Sequence, residues 1–258
     1  MSANTKFSPV KNYVVPLTLI LQNDKEAIKT LSDELKTRGY TFVKLSPELV
    51  NQVDVCMGII EAFFARYIDY KKAFFKAPIF GYFGVDHKES FRFLTGSRLS
   101  EQKLPTGFDE IKNLIHTIDQ IMFTVTLLCS PVLFPNIMAK AKELDIPLFN
   151  LKKQWGMFDI AKYYNDGTRS ELNCKEHFDP GLLSISLRST EPGLQLKDEF
   201  GKWIKAPTDK TIAIIWAGDA ATKINPNVKH GVHRVINPPT VPGDLSKPKP
   251  RISMWHEI

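Results

Sequence analysis

The feature that most constrains this chain is a change of texture at Pro147. Ahead of it, apolar residues recur at helical spacing: Ile28, Leu31 and Leu35, then Val50, Val53, Met57, Ile60, Phe64 and Tyr67, then Ile111, Leu114, Ile115, Ile118 and Met122. Behind it, short alternating segments separated by turn residues predict strands near Met157–Tyr164, Leu183–Leu187, Leu194–Lys197, Trp203–Lys205, Ile212–Ala217, Val232–Ile236 and Arg251–His256. So many short strands argue a sandwich or jelly-roll barrel. The expected class is α+β: residues 1–150 form a helical and mixed region that buttresses one sheet of a barrel formed by residues 151–258. At 258 residues the two textures fit one compact structural unit.

Within the front half, Tyr13–Ile20 reads as a strand, with Pro16 placing it at an edge or bulge. Asn23 or Asp24 caps the next helix and Gly39 ends it; a strand follows at Tyr40–Leu45. Ser46 and Pro47 start a second helix. A third is expected over Phe108–Leu128 and a short fourth over Pro135–Leu144, while Pro131 cuts the most apolar run, Ile121–Phe134. Between them, residues 70–100 are aromatic, glycine-punctuated and basic, and read as loops over a substrate pocket. Phe91, Arg92, Phe93 and Arg98 are the substrate candidates there, the arginines as partners for a carboxylate. The competing reading has Phe74, Phe75, Phe91 and Phe93 merely packing against the helices.

A net charge of +6 is spread thinly, with Lys71–Lys72 and Lys152–Lys153 the only adjacent basic pairs. It suits an anionic small molecule and predicts no nucleic-acid partner. Cys56, Cys129 and Cys174 are odd in number and lack zinc-type spacing, so reduced thiols in a cytoplasmic protein are expected. The N-terminal MSANTKFSPVKN lacks a signal-type apolar core, and no membrane association is expected.

The chemistry concentrates in EHFDPGLLSISL, residues 176–187. On a strand, His177 and Asp179 would share a face about 7 Å apart, two metal ligands side by side. A third is expected from His233 in GVHRVINPP; His230 competes for that place, although Gly231 beside it suggests an exposed turn. Two imidazoles and one carboxylate on one face of an iron leave the opposite positions open, the arrangement of non-haem Fe(II) oxygenases. An isolated HxD arises readily by chance and gains weight only from the strand-borne histidine downstream. Near the end, Arg251 and Ser253 at strand spacing offer a guanidinium fork and a hydroxyl to a carboxylate. The blander reading is a surface arginine on a terminal strand. His116 beside its apolar stripe reads as structural.

These segments resemble the isopenicillin N synthase-like family of 2-oxoglutarate and Fe(II)-dependent oxygenases. The series HFDPGLLSISL, GLQLKDEFGKWIKAP, AIIWAGDAATKINPN, HGVHRVINPP and RIS follows that family's order, and RGYTFVKL, KAFFKAP and GYFGVDHKESF resemble its N-terminal region. The resemblance implies a double-stranded β-helix core, iron held by His177, Asp179 and His233, and 2-oxoglutarate gripped by Arg251 and Ser253, with Tyr164 of KYYND as a further contact. It implies a dioxygenase that consumes O2 and 2-oxoglutarate, releases succinate and CO2 and hydroxylates a small molecule by default, with ascorbate as a candidate reductant. Desaturation or ring closure, a 2-oxoglutarate-independent oxidase and a non-catalytic binding relative stay open. Two departures stand out: Lys162 and Asn165 replace the asparagine and proline usual around the tyrosine, and residues 238–250 lengthen the segment before Arg251.

Overall fold

A computed structural model describes residues 13–76, 80–144, 156–165, 172–237 and 248–258. The front half runs β1 (Val14–Pro16), α1 (Leu17–Leu21), α2 (Lys25–Thr37), β2 (Tyr40–Lys44), α3 (Pro47–Phe64), α4 (Ile68–Lys72), β3 (Phe75–Lys76), β4 (Phe80–Val85), β5 (Lys88–Leu94), a 3-10 turn (Gly96–Glu101), α5 (Asp109–Leu133) and α6 (Ile137–Glu143). The back half runs β6 (Met157–Tyr163), β7 (Leu172–His177), β8 (Leu183–Ser189), β9 (Leu194–Lys197), β10 (Trp203–Lys205), β11 (Ile212–Ala217), α7 (Asp219–Ile224), β12 (His233–Ile236) and β13 (Arg251–Glu257).

Local chemistry sets the helix starts. Asp24 caps α2 by accepting from Ala27 N–H, and Ser46 caps α3 by accepting from Leu49 N–H with Pro47 at the first helical position. Gly39 at φ 81° turns the chain from α2 into β2. Three expectations give way. The strand over Tyr13–Ile20 stops at Pro16, because Leu17 and Ile20 bury themselves on a helical turn instead. Pro131 sits inside α5, whose last turn continues to Leu133. The described residues between 75 and 94, read as pocket loops, supply three strands of the large sheet.

The strands form two sheets. Nine lie in the order β1-β2-β11-β8-β13-β6-β5-β4-β3 and four in the order β10-β9-β12-β7. Among the described residues, all the strand pairings are antiparallel except β1 with β2. Strands from both halves of the chain therefore share one sheet. Its outer face carries Phe91, Phe93, Phe158, Ile160, Ile185, Leu187, Ile252 and Met254, which join α2, α3 and α5 in the main core. Each such fully buried side chain contributes about 1.5–3 kcal/mol. The inner face meets the small sheet: Ala161 and Tyr163 pack on Val235, and Tyr40, Phe42, Ile214 and Trp216 on Leu196. Helix α5 is long and apolar enough, by length and composition, to cross a membrane; here Ile111, Leu114, Ile115, Ile118 and Met122 line its face toward the core. Residues 238–247 of the lengthened segment lie outside the described residues.

Candidate metal centre

His177 is the last residue of β7, and Asp179 stands in the turn that follows rather than on a strand beside it. The side-by-side strand geometry expected of the pair is thus replaced by a turn that folds the carboxylate back. That turn is clamped from below by the start of α7: Asp219 N–H donates to Asp179 O (2.8 Å), Gly218 N–H to Leu182 O (3.1 Å) and Ala220 N–H to Gly181 O (3.1 Å). Gly218 makes this possible, since a Cβ there would lie 2.2 Å from Gly181 O. His233 opens β12 directly opposite His177 in the antiparallel register, and the two rings lie 4.2 Å apart.

Among the described residues, His177, Asp179 and His233 form one group whose ligand atoms all lie within 4.8 Å of one another. Each Nε2 is 3.8 Å from Asp179 Oδ1. The remaining ring nitrogens are committed elsewhere: His177 Nδ1 is 2.8 Å from Lys175 O and His233 Nδ1 2.9 Å from Gly231 O. A carbonyl can only accept, so each Nδ1 carries a proton and Nε2 is the nitrogen left to serve as a ligand at the shared point. The sequence requires such acceptors without revealing them, because they are backbone atoms two residues upstream of each ring. Asp179 is oriented in the same way. Its Oδ2 accepts from Ser184 Oγ (2.6 Å) and Trp216 Nε1 (2.7 Å), and Oδ1 faces the imidazoles. Gly231 allows Trp216 this close, since a Cβ on Gly231 would meet Trp216 Cβ at 2.3 Å.

His233 and Asp179 are buried, whereas the side chain of His177 is 40% exposed. Burial holds His233 below its ordinary range and so neutral. The Cys174 thiol, 3.7 Å from Nδ1, and the Lys175 carbonyl push His177 up to about 9 against the effect of burial. His230, the competing ligand, turns away: it stacks on Phe178 (4.1 Å) and faces Asp219 at 3.4 Å. His116 is exposed on α5. His256, for which the sequence offers no partner, is fully buried behind the sheet with Nε2 3.0 Å from Asp119 Oδ1.

Arg251 is 2% exposed, with Nε donating to Glu191 O at 3.1 Å. Burial lowers its pKa, and among the described residues no ion pair joins it to a carboxylate. Ser253 shares its face two residues on and is 5% exposed. Tyr164 does not join them. The residue across from Arg251 is Tyr163, whose ring lies 5.7 Å from the guanidinium carbon. Tyr164 follows the end of β6 and feels Glu89 on the helix side, where Lys71 and Tyr82 hold that carboxylate. Strand alternation thus assigns the inner face to Tyr163, one residue before the tyrosine expected from sequence.

Of the substrate candidates, Phe91 and Phe93 are core residues, packed edge-on or tilted against Phe63, Phe108 and Phe158. Arg98 is exposed on the 3-10 turn whose Leu99 packs into the helix-side core. Arg92 alone of the four faces inward, paired with Asp159 by Nε (2.7 Å) and Nη2 (2.5 Å).

A two-sheet barrel with two imidazole nitrogens and a carboxylate oxygen converging on its inner wall defines a class, the double-stranded β-helix proteins that hold one metal ion by a facial triad. Residues 157–255 match the family model of the 2OG-Fe(II) oxygenase superfamily, so this stretch of the chain is similar to that family's domain. The chain is 27% identical over 169 residues to clavatol oxidase of Penicillium crustosum, a match covering 58% of this chain and 46% of that protein. It is 33% identical over 69 residues to the 2-oxoglutarate-dependent dioxygenase citB of Monascus ruber, covering 26% of this chain and 21% of the relative. The chain therefore spans less than half the length of these curated relatives. In fold it is similar to a Neurospora crassa protein solved in complex with alpha-KG and 5-formyluracil (TM-score 0.77, 19% identity, 95% of this chain and 83% of that one). It is also similar to the rice dioxygenase for auxin oxidation (TM-score 0.70, 18% identity, 95% and 81%).

Proposed function

We propose that the protein is a non-haem Fe(II)- and 2-oxoglutarate-dependent dioxygenase that oxidises a small molecule, by default hydroxylating it, and releases succinate and CO2. The observation that carries this reading is the donor set: two imidazole nitrogens and one carboxylate oxygen, each with its other heteroatom already bonded. In this reading His177, Asp179 and His233 hold the iron, whose chemistry when bound is the activation of O2 with oxidative decarboxylation of 2-oxoglutarate.

The chain's own residues bind and orient. Arg251 meets the distal carboxylate of 2-oxoglutarate as a planar fork, Ser253 adds a hydroxyl, and Tyr163 lies against the guanidinium. Ser184 and Trp216 fix which oxygen of Asp179 faces the metal. Buried Tyr163, Ala161 and Val235 keep water from the co-substrate end. A small-molecule substrate is supported by the complexes of the Neurospora crassa protein with thymine and with 5-formyluracil, and of JOX2 with JA. A cytoplasmic setting is part of the proposal, supported by three unpaired cysteines.

The test is turnover. Iron-loaded protein with a small-molecule library should release succinate from 2-oxoglutarate in a substrate-stimulated manner. Oxidation of a substrate that proceeds unchanged without 2-oxoglutarate would refute the assignment.

A further inference from the structure

The β5–β6 pair places a second polar group on the barrel's inner wall that metal and co-substrate binding leave unused. Register alternation puts Ser90 and Arg92 of β5 across from Ala161 and Asp159 of β6, on the face where Ala161 and Tyr163 meet the small sheet. Asp159 lies across from Trp255 of β13. Two residues further along, Glu257 accepts from Gly181 N–H (2.5 Å), two residues beyond Asp179. The group therefore lies on the large sheet, facing the small sheet that carries His177 and His233, and Glu257 links it to the turn that holds Asp179.

Its internal geometry is specific. Arg92 spends Nε and Nη2 on one oxygen, Asp159 Oδ2, and Nη1 has no hydrogen-bond partner among the described residues. Asp159 is 1% exposed, and its Oδ1 is buried without a hydrogen-bond partner; so is the Ser90 hydroxyl. Buried polar atoms without partners are costly and mark places where something else is bound. The Phe83 ring lies 5.4 Å from the Arg92 guanidinium carbon and supplies a flat apolar wall. The charge of Arg92 is already matched by Asp159, and Glu257, whose carboxyl burial pushes up to about 7, adds acidity nearby. A carboxylate arriving here meets a neutralised cation and acidic neighbours, whereas a carbonyl oxygen meets an oriented N–H at no such electrostatic cost.

We propose that Arg92, positioned by Asp159, is the specificity-determining residue for substrate, and that it selects an uncharged, flat molecule through a carbonyl oxygen rather than a carboxylate. This rests on the oxygenase reading above. It replaces the expectation that Arg92 pairs with an anionic substrate.

The test uses the full chain loaded anaerobically with Fe(II) and 2-oxoglutarate, and calorimetric affinities for matched pairs: benzamide and benzoate, salicylamide and salicylate, nicotinamide and nicotinate. At least one amide should bind tenfold or more tighter than its carboxylate. Asp159→Asn should free the charge of Arg92 and move that ratio at least tenfold toward the carboxylate, a change that loss of packing alone would not produce. Arg92→Met should lose amide binding at least tenfold. Should the stranded carboxylate prevent that variant from folding, Arg92→Met with Asp159→Leu carries no buried charge and should show the same loss. Carboxylates preferred, no member of any pair binding, or a ratio unmoved by Asp159→Asn would each overturn the proposal. Absence of the visible charge-transfer band of the Fe(II)–2-oxoglutarate chelate would sink the oxygenase reading and this inference together. With the band present, failure falls on this inference alone.

Discussion

His177 sits between two influences that pull its proton in opposite senses. The Cys174 thiol and Lys175 carbonyl favour the imidazolium up to about pH 9, whereas a metal needs the bare Nε2. Below that value a metal must displace one proton, so Fe(II) affinity should rise about tenfold per pH unit between pH 7 and 9 and then level off. Titrations of Fe(II) at several pH values measure this; a flat profile would show that His177 is already neutral. In the metal-free protein the sign reverses. The raised value contributes stability in full below the ordinary 6.5, and that contribution is lost as pH rises through about 9. The co-substrate residues separate in the same way: Arg251→Met should weaken 2-oxoglutarate binding on the order of a hundredfold, as expected for one side of a buried charge pair worth about 3 kcal/mol. Tyr163→Phe should raise the KM for 2-oxoglutarate and Tyr164→Phe should leave it unchanged, the reverse of the expectation from sequence. The three ligands were legible because HxD and a later strand-borne histidine are chemically distinctive. The choice between adjacent tyrosines was not, because it depends on strand phase, and a slip of one residue exchanges the two faces of a sheet.

Helix α5 and strand β13 are tied through a buried polar cluster. Asp119 of α5 accepts from Thr95 Oγ (2.6 Å) and lies 3.0 Å from His256 Nε2 of β13, while Thr95 Oγ also takes Gly156 N–H (2.6 Å). Burial works to raise the pKa of Asp119, but His256 and Thr95 hold it below the usual carboxylate range. Its contribution to stability is therefore present above the unfolded value, about 3.9, and is lost as pH falls through the lower native one. Asp119→Ala should cost about 3 kcal/mol by chemical denaturation, since it strands two buried donors. It should also flatten the acid limb of the stability profile. Nothing in the spacing of Thr95, Asp119 and His256 announces this cluster, for it joins residues on three separate elements. Apart from β7, which ends at His177 where a strand was expected to begin, the barrel strands were readable to within a residue or two, from Met157–Tyr163 to Arg251–Glu257, because turn residues separate short apolar-alternating segments. Strands β3 to β5 were obscured, although FRFL in β5 alternates as a half-buried strand should. Its neighbours explain why: Gly81 takes φ 69° within β4, and a Cβ there would lie 1.8 Å from Phe74 O.

At the scale of the molecule, the proposed metal site exists only where β7, the following turn and β12 are assembled and the proposed co-substrate site only where β13 is added, so both ligands should stabilise the folded chain by mass action. At one hundred times the dissociation constant a ligand contributes about 2.7 kcal/mol, or about 5–10 °C in Tm for a chain of this size. Scanning calorimetry with Fe(II) and 2-oxoglutarate under anaerobic conditions measures it, and no shift would mean that the site does not form as described. The sheet order carries a separate consequence. β13 is the fifth of nine strands, wedged between β8 and β6, so the strand formed from residues 251–257 occupies the middle of the sheet rather than its rim. During synthesis, β1-β2-β11-β8 and β6-β5-β4-β3 can exist only as two separate ribbons until this seam is inserted. Because the inserted strand also carries Arg251 and Ser253, a nascent chain can gather His177, Asp179 and His233 before it gains the two residues proposed to grip the co-substrate.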